Sequence, residues 1–275
     1  LFINGGDPRA DLVSVAGNNY CSADSVLIQN RSTITSGSIT KIEIFWDAVG
    51  EPTASEVDDE PFSNKIYKHK YPAFNSPASK TYNIRMVAYS GATCSSDDNI
   101  TVTVNAMPNV VFNDIRSVCL EDPSFQLTQA IETAGLAPGI SGGYYSGTGI
   151  TSSSGIFDPS VAGAGTHTIL YKFTSTAGCE DTASNTITVH PMPTVDADRG
   201  QQWVMLEGGQ LILDPIVTGN ELSYLWTHDL GGSNSFLSSP IIRNPVATPV
   251  QDITYTLTVT ARGGCKTSDD IFIKV

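Results

Sequence analysis

Cys94, Cys179 and Cys265 stand 85 and 86 residues apart, and each sits between two strand-like runs. The runs before them are TYNIRMVAYSGATC (81–94), HTILYKFTSTAGC (167–179) and TYTLTVTARGGC (254–265). Those after them, SSDDNITVTV, EDTASNTITV and KTSDDIFIKV, end at Val104, Val189 and Val275, again 85 and 86 residues apart. A fixed period of this kind marks a chain built from copies of one folding unit. Within the third run Tyr255, Leu257 and Val259 alternate with Thr254, Thr256, Thr258 and Thr260, the period of a strand with one buried face. Ala177-Gly178 and Gly263-Gly264 supply the turns, so each unit is expected to end in a β-hairpin.

The near-identical stretches TVNAMPNV (103–110) and TVHPMPTV (188–195) are then the joints between units. Their prolines remove ladder donors and stiffen the linker. The expected domains are 1–106, 107–191 and 192–275, the first being longer in loops such as 47–64. Turn-forming clusters every 8–12 residues predict about seven short strands per unit, the signature of a β-sandwich. In the third unit these are WVML, QLILD, SYLWTH, SFLS, IIRNPVAT, TYTLTVT and DIFIKV. Helix is expected only as single turns, in VAGNNY (15–20) and LTQAIETAGL (127–136). The fold class expected is therefore all-β, three tandem immunoglobulin-like sandwiches in an elongated array. Strands of this length at about 3.3 Å per residue would carry three sandwiches end to end over roughly 100 Å.

Charge narrows the partners. With 28 acidic and 15 basic residues the net charge is −13, which disfavours nucleic acid and anionic membrane surfaces, both of which need a basic face. The acidity fits a soluble extracellular protein that meets divalent cations. No window of 18 apolar residues occurs, so no membrane insertion is expected. The chain opens on Leu1 without a charged, then apolar leader, and reads as an excised, monomeric fragment of a longer protein.

In the first unit, IEIFWDAVGEP (42–52), YKHKYPAF (67–74) and the TYNIRMVAY strand resemble a PKD domain, an immunoglobulin-like sandwich with a WDFGDG-type motif and an H-x-Y segment. Trp46, Asp47, Gly50, His69 and Tyr71 match; the second aromatic and the GDG of the motif do not. The second unit (GGYYSGTGI, GIFDPSVAGAGTHTILYKFT) and the third (YLWTHDL, RNPVATP) are similar to the PKD-like and Ig-like repeats of large secreted Bacteroidetes surface proteins, including gliding-motility adhesins and type IX secretion substrates. The resemblance implies an extracellular, non-catalytic stalk or adhesion segment at the cell surface. Its partners would be neighbouring repeats and a glycan or protein ligand. The alternative it leaves open is a carbohydrate-binding or accessory module of a secreted hydrolase.

In a secreted chain, Cys21 with Cys94 and Cys119 with Cys179 are the disulfide candidates, each within one unit. Such bridges would close loops of roughly 60–75 residues and stabilise by about 4 kcal/mol in the chain-entropy model. A topological objection stands: Cys119 precedes the second strand while Cys179 lies at the last hairpin, positions that tend to opposite ends of a sandwich. The alternative is five small buried thiols. Cys265, without a partner in its unit, is expected to be a buried thiol. Trp46 and Trp226 are expected in sandwich cores, one of Tyr144 and Tyr145 takes the same place in the second unit, and Trp203 packs near the second joint.

Acidic residues offer a calcium candidate in EVDDEP (56–61), with Asp58, Asp59 and Glu60 as ligands and Asp47 and Glu51 nearby in sequence; the alternative is a solvated loop. No other cofactor is expected. Asp97-Asp98 and Asp269-Asp270 recur at matching positions, which favours a structural role. The four histidines (His69, His167, His190, His228) are scattered over three units, and no H-E-x-x-H, G-x-S-x-G or phosphate-loop motif occurs, so catalysis is not expected. Gly147 and Gly149 read as turn glycines. DSV (24–26) and DTA (181–183) match a bacterial O-glycosylation pattern at Ser25 and Thr182, and Asn30 and Asn99 match the eukaryotic N-linked pattern.

Overall fold

The computed structural model describes residues 6–91, 94–231 and 236–275, leaving aside the side chains of residues 140 and 141. Ala92 and Thr93 of the first expected hairpin turn, and Ser235 of the expected SFLS strand, lie outside the described residues. The chain is an all-β tandem array of immunoglobulin-like sandwiches. Among the described residues its helical structure is one four-residue helix, α1 (Pro159–Ala162), and a 3-10 turn at Arg262–Gly264.

One sheet pattern is built three times. In the first copy β1 (Asn19–Cys21), β2 (Lys41–Phe45), β3 (Ser79–Ser90) and β4 (Cys94–Asn105) lie in the order β1-β4-β3-β2, with Glu56–Asp58 beyond β2. In the second, β5 (Val118–Cys119), β6 (Pro138–Gly147), β7 (Gly165–Ser175) and β8 (Glu180–His190) lie in the order β5-β8-β7-β6. In the third, β9 (Trp203–Val204), β10 (Ser223–His228), β11 (Ile253–Thr260) and β12 (Lys266–Lys274) lie in the order β9-β12-β11-β10.

The last two strands of each copy form the expected hairpin. A short edge strand then runs parallel to the final strand. The parallel partners at its end are Cys21 with Asn105, Cys119 with His190, and Val204 with Lys274. Smaller sheets face these. In the first copy, for example, Val26–Asn30 lies between Leu12–Ser14 and Ile66–His69.

Buried side chains gather in three clusters among the described residues, spanning Leu12–Val104, Val118–Val189 and Ala197–Ile273. The alternation of β11 is complete: Ile253, Tyr255, Leu257 and Val259 are buried, and the threonines between them are half-buried. Full burial of each such aliphatic side chain contributes about 1.5–3 kcal/mol. Trp46, Tyr145 and Trp226 enter the three cores, while Tyr144 stays half-buried. Trp203 packs against the third core and donates its indole N–H to the Asp198 carbonyl at 2.9 Å.

Several local expectations differ from the structure. No helical turn forms at 15–20 or 127–136; instead Ala130–Glu132 pairs with Val110–Phe112. The helix forms at 159–162 because Asp158 caps it, accepting the Ser160 and Val161 N–H groups, and Pro159 presets its first turn. The loop 47–64 contains the Glu56–Asp58 strand, paired with β2. In the third copy the described part of SFLS makes only an isolated bridge, Leu237 to Ala247. The Thr194–Asp196 strand that follows the second joint pairs with Ile216–Thr218, a strand outside the expected set.

The matching aspartates hold strand to strand. The Asp98 carboxylate accepts the Leu12 N–H at 2.8 Å, and the Asp269 carboxylate accepts the Ala197 N–H at 2.7 Å. Both donating residues, Leu12 and Ala197, are buried. Asp98→Ala should destabilise the first sandwich by about 1.5–3 kcal/mol, the range for a hydrogen bond to a charged group. Denaturant unfolding checks this, with Asp98→Asn expected to lose less.

The backbone divides into two compact units, one comprising 1–111, 131–143 and 172–183, the other 112–130, 144–171 and 184–275. No helix among the described residues is long and apolar enough to cross a membrane.

Candidate functional site

The motif residues of the first copy converge on one cleft. Trp46 follows β2, His69 ends the Ile66–His69 strand, Tyr71 lies two residues on, and Tyr82 comes from β3. Their rings form a continuous chain. Trp46 stacks on His69 with centroids 4.8 Å apart, His69 meets Tyr71 edge-on at 4.6 Å, and Tyr71 stacks on Tyr82 at 3.7 Å. The Trp46 indole donates to Glu56 at 2.9 Å, and the Tyr71 hydroxyl donates to the Trp46 carbonyl. The turn after Trp46 is fixed by the Gly50 N–H donating to Asp47 at 2.9 Å. A Cβ at position 50 would meet that carboxylate at 2.3 Å, which is why glycine stands there.

The resulting cleft has a volume of about 610 Å³ and is lined by Asp47, Glu51 and Glu56 as well as the rings. Burial pushes the His69 imidazole below its usual range, against the opposing pull of Glu56 and Glu51. Burial also raises the Tyr71 hydroxyl. The cleft therefore combines neutral rings with carboxylates, a set that accepts hydrogen bonds from hydroxyl or ammonium groups. Proton linkage follows from the His69 shift. A depressed folded pKa means that the unfolded chain takes up the proton first, so this contribution to stability is intact above about pH 6.5 and declines as the pH falls. NMR titration of His69 should give a pKa below 6.5.

The calcium candidates are otherwise engaged or exposed. The Asp58 carboxylate meets the Lys65 ammonium at 2.8 Å and accepts the Tyr67 hydroxyl at 2.5 Å and the Glu60 N–H at 3.1 Å. Partial burial pushes Asp58 upward, but these partners together hold it below the usual carboxylate range. Asp59 and Glu60 are exposed. A different carboxylate group, Asp196, Asp198 and Asp269, has oxygens within 4.8 Å of one another. Each of the three accepts a backbone N–H, from Arg199, Gly200 and Ala197 respectively, which accounts for their convergence. Ser25 is half-buried just before the Val26–Asn30 strand, and Thr182 is exposed on β8.

The cysteines correct the expected pairing. Cys21 bonds to Cys179 and Cys119 bonds to Cys265, each with a Cα–Cα distance of 5.6 Å; Cys94 is free. The pairs Cys21–Cys94 and Cys119–Cys179 do not form, for a reason of length. Cys21 lies opposite Asn105, the last residue of β4, whereas Cys94 is its first. Eleven residue steps at about 3.3 Å separate the two ends by roughly 36 Å, far beyond the reach of a disulfide. Cys119 and Cys179 likewise lie at opposite ends of β8. Cys265 is buried as expected, at 1% exposure, but it is not a thiol.

Each bond instead joins the edge strand of one sandwich to the hairpin of the next. The two ends are built alike in both bonds. The edge-strand cysteines are tied by an aspartate three residues on: Asp24 and Asp122 accept the Cys21 and Cys119 N–H groups at 3.3 and 2.8 Å. At the hairpins, the Ser175 and Ala261 N–H groups donate to the carbonyls of Cys179 and Cys265, both at 2.8 Å. The second junction is close-fitting. Gly263 has φ +78°, and a Cβ there would meet the His190 ring at 2.2 Å. A sequence signal for the edge-strand half was present in CSAD (21–24) and CLED (119–122), a shared C-x-x-D.

No known protein-family model matches the sequence, and no curated protein matches it. Solved structures with a similar arrangement include Drosophila OTK extracellular domains 3-5, at 11% identity and a TM-score of 0.41, covering 98% of this chain and 97% of that one. Sidekick-1 immunoglobulin domains 1-5 align at 12% identity and a TM-score of 0.36, covering 97% of this chain and 61% of that one. The fibronectin(III)-like modules of Clostridium thermocellum CbhA align at 15% identity and a TM-score of 0.32, over 66% of this chain and 95% of theirs. The fold assignment rests on the thrice-repeated strand order and the parallel edge-strand pairing.

Proposed function

We propose that the chain is a non-catalytic stalk or adhesion segment of an extracellular protein, built of three sandwiches at 1–106, 107–191 and 192–275. The observation that carries this reading is the repeated bond between the edge strand of one sandwich and the hairpin of the next. Disulfides persist in oxidising compartments, which supports an extracellular setting. The resemblance to repeats of large Bacteroidetes surface proteins extends the reading to surface attachment or gliding motility after type IX export.

The mechanism is mechanical. The two bonds overlap in sequence, since Cys119 lies between Cys21 and Cys179. Force applied at the termini therefore bypasses most of the backbone even when every sandwich has unfolded. The shortest covalent path keeps about 20 residues before Cys21, about 60 between Cys119 and Cys179 and about 10 after Cys265, roughly 300 Å at 3.3–3.6 Å per residue. The reduced chain extends about three times further, to roughly 900 Å. Single-molecule pulling under oxidising and reducing conditions tests this. Equal contour lengths in the two conditions would count against a latched stalk.

A second reading is favoured by the cleft of the first sandwich, whose carboxylates and rings suit a polyhydroxylated ligand. A glycan array with and without chelator tests it. Binding abolished by Glu56→Ala would move the function from stalk to carbohydrate-binding module, and an empty array leaves the stalk.

A further inference from the structure

Cys94 occupies a position that is disulfide-bonded in both other copies. It lies opposite Ser90, as Cys179 lies opposite Ser175 and Cys265 opposite Ala261. The edge-strand half of the bond also recurs, opposite the last residue of each final strand, and there the third copy differs. Cys21 and Cys119 are followed at that place by Val204, 72% exposed. The backbone at the three places is equivalent: the Ser22, Leu120 and Met205 N–H groups donate to the carbonyls of Asn105, His190 and Lys274 at 2.8, 3.0 and 2.9 Å. The chain thus carries three hairpin halves and two edge-strand halves, and the unmatched hairpin half is Cys94, which is only half-buried.

Resting on the stalk reading, we infer that Cys94 is the acceptor of a third bond of the same kind, made to an edge-strand cysteine of a further sandwich of this repeat type. The bond forms by oxidation. Cys94 and the partner thiol each lose a proton and an electron to a small-molecule disulfide, which leaves as two thiols. The third sandwich, with Val204 in place of the edge-strand cysteine, receives a bond at its hairpin and makes none onward. The direction of linkage is set by which end carries the thiol.

The chain itself supplies the probe. Val204→Cys restores the missing half on an exposed edge position and creates a chain that should link head to tail with its own copies. In glutathione disulfide, purified Val204→Cys should form a ladder of multimers cleaved by reductant, with a peptide joining residue 94 to residue 204. The added Cys94→Ser change should abolish the ladder. Two full copies fused end to end, with Val204→Cys in the leading copy, form the second arm. Linkage in the fusion alone assigns the partner to the same polypeptide, and linkage of separate chains at micromolar concentration admits another chain. Absence of a 94–204 link in both arms, with Cys94 still open to alkylation, overturns the inference. So does equal formation of 94–94 dimers by the wild-type chain. Pulling lengths of the single chain are unaffected by either result, so the stalk reading stands or falls separately.

Discussion

Trp226→Ala should destabilise the third sandwich by about 3–5 kcal/mol, the usual cost of removing a large buried aromatic. Trp226 is 2% exposed, its indole donates to the Ile242 carbonyl at 3.0 Å, and its ring meets Tyr255 edge-on at 6.5 Å. The substitution leaves a cavity bounded by strands and an acceptor without its donor, and a sandwich of this size has only about 5–15 kcal/mol in hand. The first core shares none of these residues. Thermal unfolding followed by near-ultraviolet circular dichroism should show one transition lost or moved far downward and another unmoved. Equal loss of all transitions would show that the cores fold as one.

Cys265→Ala should have a different effect. The bond closes a sequence separation of 146 residues. Were the chain a single cooperative unit, that closure would be worth about 5 kcal/mol in the chain-entropy model. The closed loop, however, contains folded sandwiches with cores of their own, so the freedom it removes belongs mainly to the joint. The expected result is a preserved β circular-dichroism spectrum and a small shift in unfolding midpoint. Amide exchange at Ala261, whose N–H donates to the Cys265 carbonyl, should rise by tenfold or more, a local loss of about 1.4 kcal/mol. Gly263→Ala should give the same exchange signature with the bond intact, because its Cβ meets the His190 ring. Global unfolding of Cys265→Ala would mean that the bond sustains the core rather than the joint.

Much of the fold could be read from the chain. Period-two alternation and turn glycines announce a hairpin without help from the rest of the molecule, and Tyr255, Leu257 and Val259 are buried as their spacing demands. The cleft was half legible: Trp46, Asp47, Gly50, His69 and Tyr71 stood out as a motif. Tyr82 joins it only because β3 crosses behind Tyr71, a tertiary fact. The Ile216–Thr218 strand of the third copy and the capped helix at 159–162 escape a sequence reading because three- and four-residue elements lack a period to read.

The disulfides show where local reading ends. Counting cysteines per unit paired those within one unit, but a strand of twelve residues holds its ends apart by its own length. The repeat itself contained the answer, since Cys21 and Cys119 share C-x-x-D and Cys94, Cys179 and Cys265 share the hairpin. Two classes of cysteine, each recurring, are the pattern of a bond between copies.

Mapping the disulfides of the unreduced, alkylated chain by mass spectrometry tests the latched array most directly. The expected peptides join Cys21 to Cys179 and Cys119 to Cys265, with Cys94 alkylated. Peptides joining Cys21 to Cys94, or Cys119 to Cys179, would contradict it.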